Sequence, residues 1–62
     1  MEFNVPDMSC GHCAGVITQT VKQLDAGATV HIDLPAKKVT VETTQDPQTV
    51  AAALTSAGYP PN

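Results

Sequence analysis

Two cysteines, Cys10 and Cys13, are the residues best equipped for chemistry in this 62-residue chain, and they stand in the run Met8-Ser9-Cys10-Gly11-His12-Cys13. Two cysteines three positions apart can turn both sulfurs toward one ion, and a following helix offers the positive field of its free amides to at least one thiolate. Two thiolates without a neighbouring set of carboxylates suit Cu(I), a soft ion content with few ligands, rather than calcium or magnesium, which need several oxygens. Structural zinc takes four ligands, and beside the cysteines only His12 and His31 could add nitrogen. That is half a zinc site.

A bare Cys-x-x-Cys also serves thiol–disulfide exchange, and some such pairs are merely structural. A thioredoxin-like enzyme places its pair at a helix N-terminus too, but it needs a larger sheet and more helices than this chain holds. No serine, histidine and carboxylate series marks a hydrolase, and no Gly-rich loop marks a phosphate site.

The neighbours of the pair read differently. His12 is a possible third ligand, but its place between the cysteines favours a solvated ring, and His31 falls on the polar phase of a strand. Met8 carries a soft thioether, yet a methionine before a tight loop is expected to fill the core beneath it. Ser9 is either a loop hydrogen-bonder or a passive exposed residue. Tyr59 either shields the thiolates with its hydroxyl or closes the core with its ring.

The elements that must hold these residues follow from periodicity. Phe3 and Val5 alternate with Glu2 and Asn4, a short strand stopped by Pro6-Asp7. From Cys13 the apolar spacing becomes three and four, through Ala14, Ile17, Val21 and Leu24, which predicts an amphipathic helix. Val30, Ile32 and Leu34 alternate with Thr29, His31 and Asp33, and Val39 and Val41 with Lys38, Thr40 and Glu42. These form two half-buried strands joined across Pro35-Ala36-Lys37 as an antiparallel hairpin. Asp46 is placed to cap a second helix, Pro47 suits its first position, Val50, Ala53, Leu54 and Ala57 form its stripe, and Gly58 ends it. The fold class expected is α+β, a ferredoxin-like split βαβ sandwich (βαββαβ) with a short or residual fourth strand, because the prolines of Tyr59-Pro60-Pro61-Asn62 cannot donate to a ladder. Residues 1–62 are expected to form one domain.

Composition narrows the classes further. The chain is 42% hydrophobic with a formal charge of −3, too apolar and too regularly patterned for a disordered segment. Three lysines and no arginine could neutralise few phosphates, so nucleic-acid binding is not expected. No apolar run approaches a membrane span and no basic start precedes an apolar stretch, so a cytoplasmic protein without membrane insertion is expected. At this length a core gains from a metal, a disulfide or a partner. The acidic residues form a solvated surface whose excess over lysine would favour a basic partner.

Taken together, the Met8-to-Cys13 run, the helix through Leu24, the Val30-to-Asp33 strand, Val39 and Val41, and Ala57-Gly58-Tyr59 resemble the heavy-metal-associated domain family, especially its free-standing bacterial copper chaperones. The resemblance implies that Cys10 and Cys13 bind Cu(I), that Met8 supports the loop from the core, and that Tyr59 lies near the site. It also implies a non-enzymatic role, carrying copper to a copper-transporting P-type ATPase or its metal-binding domain, and it is compatible with a copper-bridged homodimer. The lack of an acidic residue beside Cys10 argues against the family's zinc and cadmium carriers. The rivals are a small dithiol–disulfide oxidoreductase and a copper buffer without a dedicated transfer partner.

Overall fold

A computed structural model describes all residues, 1–62. The elements are β1 (Glu2–Asn4), α1 (Gly11–Leu24), β2 (Thr29–Asp33), β3 (Lys38–Glu42) and α2 (Pro47–Ser56). The strands form one antiparallel sheet in the order β1-β3-β2. This is the ferredoxin-like βαββαβ topology, with the chain ends and loops assigned to two opposite ends of the molecule. The cysteine-bearing loop between β1 and α1, the β2–β3 hairpin and the segment after α2 share one end. The α1–β2 and β3–α2 connections share the other.

Side-chain alternation explains the layering. Val39 and Val41 are fully buried while Lys38 and Glu42 are exposed, and Val30 and Ile32 point the same way as their partners Val41 and Val39. One face of the sheet therefore packs against α1 and α2, and the other meets water. The helices contribute Ile17, Val21, Val50 and Leu54 to a core that Val5 and Met8 complete from the loop side. No helix is long and apolar enough to cross a membrane.

Three boundaries differ from the periodicity. The first helix begins at Gly11, so Cys13 lies inside its first turn, on the phase shared with Ile17 and Val21, and it is Ala14 that sits half-buried to one side. Leu34 leaves the strand and opens the hairpin, where Lys37 N–H donates to its carbonyl at 3.1 Å. Val5 lies beyond β1 but keeps a ladder-like bond to the Lys37 carbonyl at 2.8 Å. The residual fourth strand is a single contact. Asn62 N–H donates to the Asn4 carbonyl at 2.6 Å, on the free side of β1, and Pro60 and Pro61 before it have no N–H with which to extend a ladder.

The second helix ends as Gly58 allows. Gly58 has φ 95°, its N–H bonds the Thr55 carbonyl at 3.0 Å and Tyr59 N–H bonds the Leu54 carbonyl at 2.9 Å. This is a Schellman termination, in which a left-handed glycine satisfies the last carbonyls and reverses the chain. The reversal carries Tyr59 back over the core toward the cysteine-bearing loop.

Candidate metal centre

The metal loop is built on a turn and a helix start. Pro6 occupies the second position of a turn closed by Met8 N–H on the Val5 carbonyl at 3.0 Å, which drives the Met8 side chain into the core at 0% exposure. Met8 is thus a packing residue, as expected. Cys10 then takes an extended conformation (φ −152°, ψ 169°) as the N-cap of α1, with its carbonyl accepting from Ala14 N–H at 3.2 Å. Its side chain caps nothing, and the first turn contains no acidic residue. The amides that begin the helix therefore have no side-chain cap.

The two sulfurs lie 3.3 Å apart, beyond the ~2.05 Å of a disulfide, and both cysteines are free. They are not equivalent. Cys10 is exposed, whereas Cys13 belongs to the buried stripe of α1 and is 9% exposed. The Cys13 thiol is lowered to about 6 from an ordinary 9.0. Hydrogen bonding by the Tyr59 hydroxyl is the largest cause, followed by backbone hydrogen bonding at Ser9 and the neighbouring Cys10 thiol, against a smaller opposing effect of burial. The Tyr59 pKa is raised in turn, by its interaction with Cys13 first and then by burial and the negative charge of the two cysteines. The ring of Tyr59 packs against the core, which is the second of its two expected roles.

The other candidates stay apart. His12 and His31 are exposed, and no group of three His, Cys, Asp or Glu side chains is arranged to hold a metal ion. The protein offers an ion two sulfurs and nothing more, a donor set that fits a soft, low-coordinate ion and leaves zinc's tetrahedron unfilled. Of the two, Cys10, outside both helix and core, is the sulfur more open to an incoming group.

The acidic excess does not surround this site. Glu2, Asp7, Asp33, Lys37 and Lys38 lie toward the site end with one net negative charge, while Asp25, Glu42 and Asp46 gather with Lys22 at the other end with two. Two features were missed by reading the sequence. The core phase of Cys13 was legible in the spacing Cys13, Ile17, Val21, but Lys37 gave no signal beyond its place in a turn.

A ferredoxin-like sheet with two helices on one face and a reduced dithiol at the start of the first helix defines a class of small metal-handling domains. The model of the HMA family, the heavy-metal-associated domain, matches residues 2–60, and the chain belongs to that family. Among its relatives, the copper transport protein ATOX1 of Homo sapiens is 40% identical over 57 residues, which cover 92% of this chain and 81% of that protein. The copper chaperone CopZ of Bacillus subtilis (strain 168) is 38% identical over 60 residues, covering 92% of this chain and 87% of that one. The crystal structure of a gold-binding protein superposes with a TM-score of 0.97 at 45% identity, covering 100% of this chain and 95% of that chain.

Proposed function

We propose that this chain is a cytoplasmic Cu(I) metallochaperone in which Cys10 and Cys13 are the metal ligands and the 62 residues act as one carrier unit. The observation that carries the reading is the unequal pair itself: sulfurs 3.3 Å apart, one seated and one exposed, with no third ligand. The seated Cys13 retains the ion while Cys10 yields its place to an incoming thiolate. Copper then passes through a state shared by donor and acceptor and is never released to water. The partner is a copper-transporting P-type ATPase or its metal-binding domain, and no substrate bond is made or broken.

Anaerobic Cu(I) titration against a competing chelator, followed by mixing with a candidate ATPase domain, tests this. Tight binding that disappears in the Cys10→Ser/Cys13→Ser double variant, and transfer to the acceptor, are the expected results. Retained binding in the double variant overturns the ligand assignment, binding without transfer makes the protein a buffer, and efficient disulfide reduction with weak copper affinity makes it an oxidoreductase. The likeness to a gold-binding protein favours one second reading, Au(I) as a competing cargo, because a two-sulfur site suits any soft monovalent ion. Competition between Cu(I) and Au(I) for the same sites ranks the two.

A further inference from the structure

We propose that Lys37 is a positioning residue of the metal loop, holding the chain from Val5 to Pro6 in the place from which Met8 and Cys10 are presented. The inference rests on Cys10 and Cys13 being the copper ligands. Lys37 is the only non-glycine residue with positive φ, at 56°. A side chain in that left-handed region is disfavoured, and glycine or asparagine is the usual occupant of such a turn position. The hairpin needs the conformation, since Lys37 N–H closes the turn on the Leu34 carbonyl at 3.1 Å and the Asp33 carboxylate accepts from Ala36 N–H at 3.2 Å. It does not need a lysine. What the lysine adds lies 31 residues away in sequence, where its Nζ donates to the Pro6 carbonyl at 3.1 Å.

Lys37 thus grips the departing strand twice. Its carbonyl accepts from Val5 N–H at 2.8 Å, and its ammonium holds the next residue's carbonyl. Between these two contacts sits the Val5 carbonyl that closes the turn with Met8 N–H. The same ammonium brings a cation to the end of the molecule where the thiolates collect negative charge. Lys38, its neighbour, is spoken for by Glu2 at 3.8 Å, whereas Lys37 has no carboxylate partner. The strained conformation is retained at a position where glycine would relieve it, and the hydrogen bond to the metal loop is what that relief would forfeit.

Three variants separate positioning from turn formation: Lys37→Gly, Lys37→Asn and Lys37→Arg. Thermal unfolding of the metal-free protein reads the fold, amide exchange at Met8 reads the loop, and anaerobic Cu(I) release to a chelator reads the site. Glycine and asparagine are expected to leave the unfolding midpoint unchanged or raised while Met8 exchange and copper release speed up about 3- to 10-fold, the worth of one such hydrogen bond. Arginine is expected to restore both rates. Wild-type exchange and release in the glycine and asparagine variants overturn the proposal, as does a faster release that arginine fails to reverse. A Cys10→Ser/Cys13→Ser control that still binds copper overturns the ligand assignment instead, so the two failures are told apart.

Discussion

The two helices begin at opposite ends of the molecule and begin differently. At the end remote from the site, α2 starts with Asp46 as N-cap, accepting from Gln48 N–H at 3.1 Å, and Pro47 follows in the first turn. Around it Thr43 donates to Asp25 at 2.6 Å, Asp25 accepts from Gly27 N–H at 3.0 Å, and Lys22 donates to the Ala28 carbonyl. At the site end, α1 starts with Cys10, whose side chain caps nothing, and no acid occupies its first turn. One end spends its polar groups on stability. The other leaves the helix start without a side-chain cap and its two thiols paired only with each other's sulfur among the side-chain hydrogen bonds.

The largest test of the contrast is to give the site end a conventional cap. Cys10→Ser is expected to stabilise the metal-free protein by about 0.5–1 kcal/mol, because serine accepts from the free amides where cysteine does not. The same change is expected to weaken copper binding by at least about 100-fold, since each ligand of a four-ligand zinc site carries roughly a quarter of ~10–16 kcal/mol. Denaturant unfolding and chelator competition check the two arms. A variant that binds copper normally, or that is less stable, breaks the comparison. Next in size is Met8→Ala, expected to cost about 2–5 kcal/mol as a fully buried side chain is removed from beneath the loop. Folded Met8→Ala is expected still to bind copper, read by titration at low temperature, because Met8 supports the ligands without being one.

How much of this was readable in advance follows from the same two ends. Both ends of α2 were legible residue by residue, since Asp46 and Pro47 at its start and Gly58 at its finish act through local backbone rules that any sequence displays. The Cys-x-x-Cys pair was legible as a site, and the alternation of Val39 and Val41 placed the sheet's buried face. The inequality of the cysteines was not read, because it depends on helix phase, and moving the helix start to Gly11 turns Cys13 inward with Ile17. The Lys37 contact to Pro6 was not readable at all, since it joins residues 31 positions apart that only the sheet register brings together. Nor does net charge report where charge lies. Two of the three excess negative charges gather at the capped end, remote from the cysteines.

Removing the cap that α2 does have gives a smaller effect. Asp46→Ala is expected to lower stability by about 1 kcal/mol, measured by denaturant unfolding, with copper affinity unchanged because the cap lies at the far end from the sulfurs. A loss of affinity together with stability would mean that the two ends are coupled through α2 and Tyr59.

The finest distinction between the ends lies in pH, because each holds one acid ionised with a hydroxyl. Thr43 is the largest cause lowering Asp25, and Tyr59 the largest lowering Cys13. Both groups bind a proton more weakly in the folded protein than in the unfolded chain, so each stabilises the fold above its unfolded pKa and loses that contribution as pH falls through its folded pKa. The windows do not overlap. The Cys13 contribution of the reduced, metal-free protein fades between an ordinary 9.0 and about 6, and the Asp25 contribution only below the ordinary 3.8. Tyr59→Phe is therefore expected to flatten the stability profile between pH 9 and 6 and to move thiolate absorbance to higher pH, leaving the acid limb intact. Thr43→Val is expected to flatten the acid limb alone. A Tyr59→Phe protein whose thiolate titrates as in the wild type would show that the Ser9 and Cys10 backbone and the Cys10 thiol, rather than the tyrosine, hold Cys13 ionised.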